Sequence, residues 1–158
     1  MISPSPSSST EEQRLAALYS YDVLGEGLES ELDNLVKLAA QIASTKKAYI
    51  SFVDRTHIVF KASYGLLTEQ RTFLREGTIC QHAMYQDGYM APDLRLTSEF
   101  SGSPLISSQD HIVFYASVPL IDTDGYPLGC LCVVDDCVRT LNSLQLEALK
   151  TLSLQVIT

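Results

Sequence analysis

The chain has 158 residues, 46% of them hydrophobic and 19% charged, the size and balance of one compact globular domain. Its 19 acidic residues outweigh 11 basic ones, for a formal charge of −8, and no basic run is longer than Lys46-Lys47. Phosphate backbones and anionic membrane surfaces are bound through clustered Lys and Arg, so neither nucleic acid nor a membrane is an expected partner.

Residues 1–9 are nearly all Ser and Pro, a composition too poor in apolar surface to order itself, and are expected to form a flexible tail. The start has neither a basic segment nor an apolar core, so it is not an export signal. No window approaches the ~20 apolar residues of a membrane span. Cys80, Cys130, Cys132 and Cys137 therefore read as reduced thiols of a cytoplasmic protein.

Thr10-Glu11-Glu12-Gln13 has the form of a capping box and is expected to open a helix with Leu15 and Leu18 on one side, ending before Gly25 and Gly27. A second helix is expected from near Ser30, because Leu32, Leu35, Val36, Ala39, Ile42 and Ala43 recur at helical spacing. Tyr49 to Val53 and Ile58 to Phe60 are rich in β-branched and aromatic residues and flank the polar turn Asp54-Arg55-Thr56-His57, which predicts an antiparallel hairpin. Strict alternation would put Ile58, Phe60 and Ala62 on one face.

The segment from Gly65 to Gly77 is polar and reads as loop or irregular helix. A short helix follows from Ile79 to Gln86, with Thr78 as its cap and Gly88 as its stop, and then a brief strand Tyr89-Met90-Ala91 ending at Pro92. Residues 93–110 read as one long loop, the kind that often closes a pocket. The runs Ile112 to Leu120 and Leu128 to Val134 are joined through Asp124-Gly125, a hairpin signal. A last helix is expected from Ser143 with Asn142 as its cap. Residues 10–158 thus predict one α+β domain, an antiparallel sheet of about five or six strands flanked by helices.

An ordered set of segments carries a resemblance. It opens with Glu12 to Leu18 and Tyr21-Asp22-Val23-Leu24, and continues through Ala48 to Asp54, Phe60-Lys61-Ala62 with Gly65, and Ile79 to Met84. Pro92-Asp93-Leu94-Arg95, Phe114-Tyr115-Ala116 with Pro119-Leu120, Leu128 to Asp135 and Arg139-Thr140-Leu141 complete it. In this the chain resembles a GAF domain of the bacterial subgroup found in front of sensor kinases and cyclases. The resemblance implies a cavity between the sheet and the segment of roughly 65–110. It also implies an unidentified small-molecule ligand, a homodimer formed through the terminal helices, and a C-terminal effector such as a histidine kinase. Fold analogy names no ligand.

Cys80-Gln81-His82 opens the short helix. A helix start favours a thiolate and an anion, whereas the structural reading is a buried small residue beside a packing His. Bilin-binding members of the family attach pigment through Cys followed directly by His, and here Gln81 intervenes. GAF-type free methionine sulfoxide reductases place a Cys in a setting like Gly77-Thr78-Ile79-Cys80, but with a partner Cys earlier in the chain, where this sequence has none.

Cys130 and Cys132 fall on one face of a strand, about 7 Å apart, which suits core packing. No metal site is expected, since the three His are scattered singly. Asp93 and Arg95 face the same way in an extended stretch, either to hold a polar ligand or to pin the loop by a mutual ion pair. Phe114 and Tyr115 point to opposite faces, so at most one lines a cavity. The candidate ligand contacts are thus Phe60, Cys80 and His82, the Asp93–Arg95 pair, and Phe114 or Tyr115. No catalytic motif appears, which makes a regulatory module the first expectation. A Cys80-centred sulfoxide reductase, a bilin photosensor and a module that only dimerises are the alternatives. In the last, Phe60, Met84 and Tyr115 would fill the cavity themselves.

Overall fold

Three of the long apolar segments are buried on both faces and the fourth alternates, and in the computed structural model these four form the centre of one sheet. The structure describes residues 8–21, 29–97, 100, 103, 106 and 109–157. The elements, in chain order, are α1 (Ser8–Ser20), α2 (Glu29–Ala43), β1 (Lys47–Val53), β2 (His57–Tyr64), β3 (Thr72–Leu74), α3 (Ile79–Ala83), β4 (Tyr89–Ala91), β5 (Phe114–Ile121), β6 (Pro127–Asp135) and α4 (Ser143–Val156), with a 3-10 turn at Leu94–Leu96 after β4. The six strands are antiparallel in the order β3-β2-β1-β6-β5-β4.

The two faces of the sheet carry separate cores. On one, Ile50, Phe52, Phe114, Val118, Leu131 and Val133 pack beneath α1, α2 and α4, which contribute Leu15, Leu18, Val36, Ala39, Leu149 and Leu152. On the other, Tyr49, Phe60, Tyr115, Cys130, Cys132 and Val134 meet α3 and the irregular segments around it. Polar devices fix the ends. Asn142 and Gln145 form a reciprocal capping box on α4. Thr78 caps α3, and Gly125 turns the β5–β6 hairpin at φ +90°.

The structure corrects four local expectations. Helix α1 begins at Ser8, so Thr10 lies inside its first turn. Residues 1–7 of the expected tail, and Gly25 and Gly27, fall outside the described residues. The polar 65–77 segment contains β3, an edge strand in which Phe73 alone is buried. The 93–110 segment opens with the 3-10 turn. Finally, Ala62 does not share a face with Ile58 and Phe60. The β1–β2 register passes from Ile50–Ala62 to Ser51–Phe60, skipping Lys61, and such a bulge reverses the alternation beyond it.

Candidate functional site

The cavity-side core encloses a small apolar pocket. β1 supplies Tyr49, β2 supplies Ile58 and Phe60, β3 supplies Phe73, and α3 with its cap supplies Thr78, Ile79 and Cys80. Leu94, Ile112 and Tyr115 complete the walls, with Ser103 and Ile106 from the long loop. Tyr49 and Phe60 stack at 4.4 Å between ring centroids, and Phe73 lies 4.9 Å from Phe60.

These rings fill most of the space. The volume open to the centre of a water-sized sphere is about 20 Å³, and one water needs about 10–15 Å³ by the same measure. Among the described lining residues none carries a charge. A cyclic nucleotide or a tetrapyrrole would need both more room and a partner for its charged groups.

Cys80 occupies the inner wall and is 3% exposed. Ser51 Oγ donates to its sulfur at 3.3 Å, and the hydroxyls of Tyr49 and Tyr115 lie 3.8 and 3.9 Å from it. The Tyr115 hydroxyl also lies 3.4 Å from Cys132 Sγ, and Cys130 Sγ donates to the Cys80 carbonyl at 3.8 Å. Register explains the gathering, because Cys132 pairs with Tyr49 and Ser117, and Cys130 with Ser51. Hydrogen bonds from Cys130 and Cys132, then from Ser51 and Tyr49, draw the Cys80 thiol well below its ordinary range, against the upward push of burial. The Cys132 thiol is pushed well above its range, chiefly by burial.

The sequence-predicted contacts separate. Phe60, Cys80 and Tyr115 line the pocket. Phe114 is buried on the helix side of the sheet, since neighbours on a strand face opposite ways. His82 is exposed and packs its ring on Tyr89 and Phe100 at 5.3 and 5.5 Å. Asp93 accepts from the Arg95 backbone N–H at 3.0 Å and from its Nε at 2.8 Å, so the pair closes the 3-10 turn outside the pocket. Met84 is buried in the same core as Cys80. Tyr49, Ser51 and Phe73 were missed. The i, i+2 spacing of Tyr49 and Ser51 marks a shared face, but only the sheet register shows which face it is.

Two ion-pair systems brace the walls. Arg75, between β3 and α3, donates to Gln81 Oε1 at 3.1 Å and to the Asp54 carbonyl at 3.2 Å, and it pairs with Glu11 of α1. Glu11 also binds Arg14, a 1% exposed arginine whose Nη1 reaches the Pro127 carbonyl at 3.3 Å. Asp110 accepts from Lys47 Nζ at 2.6 Å and from the backbone N–H groups of Leu67 and Thr68 at 2.6 and 3.0 Å.

Among the described residues, Asp135, Asp136 and Cys137 lie close enough together to share a cation. Asp135 is already held by Arg139 Nε at 2.6 Å, and Asp136 by Lys46 Nζ at 2.8 Å.

An antiparallel sheet with three helices on one face, and a short helix with long connections over a pocket on the other, is the architecture of a sensory α+β sandwich. The chain belongs to the GAF domain family, which it matches over residues 27–158. It is 31% identical over 126 residues to a cyclic di-GMP phosphodiesterase of Pseudomonas aeruginosa; the match covers 79% of this chain but only 21% of that protein. In structure it resembles the GAF domain of an Acinetobacter phosphoenolpyruvate-protein phosphotransferase, with TM-score 0.70, 16% identity, and 95% and 92% of the two chains covered. It also resembles a type II free methionine-R-sulfoxide reductase from Thermoplasma acidophilum, with TM-score 0.66, 12% identity, and 79% and 86% covered. Among the described residues no helix is long and apolar enough to cross a membrane.

Proposed function

We propose that this GAF domain is a non-catalytic regulatory module. It couples the state of its apolar pocket to an effector domain of a larger protein, of the kind that turns over a cyclic dinucleotide. The observation that carries this reading is the Glu11–Arg75 ion pair, which joins a terminal helix to the corner that caps α3 on the pocket wall. A pocket change that moves α3 must move Arg75 or break its bond to α1. Occupancy then shifts the population of terminal-helix arrangements, by as much as the occupant prefers one of them.

The effector class is drawn from the Pseudomonas aeruginosa relative, of which this chain spans about a fifth. The neutral, ring-filled pocket favours a small apolar occupant over a cyclic nucleotide. Dimerisation through the outer face of α4 fits the exposure of Leu144 (79%) and Leu154 (64%) there.

Native mass spectrometry of the protein purified from its own cells tests the reading, with hydrogen exchange on the same sample. A small non-covalent mass excess is expected, together with faster exchange in α1 and α4 once it is stripped. Unchanged exchange of both helices after stripping would overturn the coupling. Sulfoxide turnover by the purified chain would overturn the non-catalytic assignment.

A further inference from the structure

We propose that Cys80 and the β6 thiols Cys130 and Cys132 form a peroxide-sensitive dithiol site, in which hydrogen peroxide entering the pocket oxidises Cys80 and Cys130 closes a disulfide onto it. The site goes beyond ligand sensing, and its chemistry requires neither an effector nor a resident ligand.

Three observations converge on it. First, the pocket-side surface of the three central strands is unusually rich in hydroxyls and thiols. Tyr49 and Ser51 stand on β1, Cys130 and Cys132 on β6, and Tyr115 and Ser117 on β5, in adjoining register rows. A purely packing surface has no need of hydroxyls directed at one atom, yet Ser51, Tyr49 and Tyr115 all approach Cys80 Sγ, at 3.3, 3.8 and 3.9 Å. Hydrogen-bond donors to a sulfur favour its ionised, nucleophilic form.

Second, the thiols differ. Hydrogen bonds from the neighbouring thiols, Ser51 and Tyr49 lower the Cys80 thiol, while the Cys130 thiol is raised. Cys130 Sγ already rests 3.8 Å from the Cys80 carbonyl. Third, Cys80 is on the pocket wall, and the pocket offers about 20 Å³, on the scale of one or two water molecules. Hydrogen peroxide, with two heavy atoms, matches that scale, whereas an amino-acid sulfoxide does not. Size therefore selects the oxidant.

The steps balance. The Cys80 thiolate attacks one peroxide oxygen. The S–O bond forms, the O–O bond breaks, and the leaving hydroxide takes up the proton that Cys80 released, giving a sulfenic acid and water. The Cys130 sulfur then attacks the Cys80 sulfur. The S–S bond forms as the S–O bond breaks, and the departing hydroxide leaves with the Cys130 proton as a second water. Two thiols give up two electrons and the peroxide becomes two waters. A dithiol reductant reverses the change by exchange. The bridge would fasten α3 to β6 behind the pocket wall that Cys80 forms.

The test uses the 158-residue chain carrying Cys137→Ser, which removes the exposed thiol. It is treated with hydrogen peroxide, alkylated after denaturation and weighed. The expected result is one alkylated cysteine where the reduced chain has three, and, before alkylation, a mass lower by about 2 Da. The linkage should join the tryptic peptide 76–95, with Cys80, to 96–139, with Cys130 and Cys132. Cys80→Ser should abolish the bridge, and dithiothreitol should restore both thiols. Ser51→Ala removes the hydroxyl that donates to Cys80 Sγ, and should slow the reaction about tenfold. This variant separates the proposal from simple misfolding, since its thermal transition should stay cooperative. Cys130→Ser should abolish the bridge as well, and a bridge that survives it, from Cys80 to Cys132, would overturn the assignment to Cys130. Three retained thiols, reaction at the rate of a free cysteine, or bridging only in unfolded protein would overturn it.

Discussion

Glu11 and Arg75 stand 64 residues apart in sequence and pair at the rim where α1 meets the β3–α3 corner, with side chains only 19% and 13% exposed. Burial pushes the Glu11 carboxyl up, but Arg14 and Arg75 draw it down further, from 4.5 to about 2. Because the folded value is depressed, the ionised form stabilises the fold. That contribution is complete above about pH 4.5 and is lost as pH falls through about 2. A shift of this size corresponds to at most about 3 kcal/mol. Glu11→Gln should lower stability by up to that amount at pH 7 and flatten its decline between pH 4.5 and 2. Parallel urea melts across that range check it, and equal slopes in both proteins would refute it.

Asp110 is the acceptor that joins Lys47 to the loop after β2, and its carboxyl is held below its ordinary range. Burial opposes this, and the Leu67 N–H, Lys47 and the Thr68 N–H more than offset it. Asp110→Ala leaves the Lys47 ammonium, 10% exposed, without its counter-charge, a loss of about 3–5 kcal/mol for a buried pair. Chemical denaturation should show that loss. Asp110→Ala/Lys47→Met should recover part of it, because the stranded charge is gone.

Phe60 is wedged between Tyr49 and Phe73. Phe60→Ala should cost about 3–5 kcal/mol and open a dry cavity, and an apolar cavity of that kind takes up benzene. Benzene should raise the melting temperature of the variant and leave that of the unaltered chain in place. Thermal melts at fixed benzene concentration decide it.

Gly129 sits opposite Phe52 in the β1–β6 ladder. A methyl group there would run into the Ser51 carbonyl and come within 2.8 Å of Phe52 Cα. Backbone at that spot has nowhere to move without parting the strands. Gly129→Ala should therefore destabilise by more than about 3 kcal/mol and yield little soluble protein. A fully soluble variant with an unchanged melting curve would contradict this.

Much of the framework was legible in the chain. Helical spacing from Leu32 to Ala43, the Asp124-Gly125 hairpin and the Asn142 cap each express a local rule, and the corresponding elements are present. What escaped depends on pairing. β3 is three residues long with one buried side chain, too short for periodicity to register. The reversal at Ala62 follows from a bulge that local alternation does not encode. Of the site, Phe60, Cys80 and Tyr115 were named from sequence. The joining of Cys80 to Cys130 and Cys132 needed α3 to be laid against β6, a contact across 50 residues of chain. The buried position of Arg14 leaves no trace in composition, because an arginine in an amphipathic helix reads as solvent-facing.

The sheet is two three-stranded meanders, β1–β3 and β4–β6, whose strands pair with each other only along the β1–β6 ladder. That ladder joins residues roughly eighty positions apart, from Lys47–Val134 to Phe52–Gly129. Loop-closure entropy over such a span is paid before the ladder returns anything. During synthesis, β1 must wait with one edge bare until β6 has been made. The time the chain spends in that half-zipped condition, rather than the strength of either meander, sets how exposed it is to mispairing before it folds.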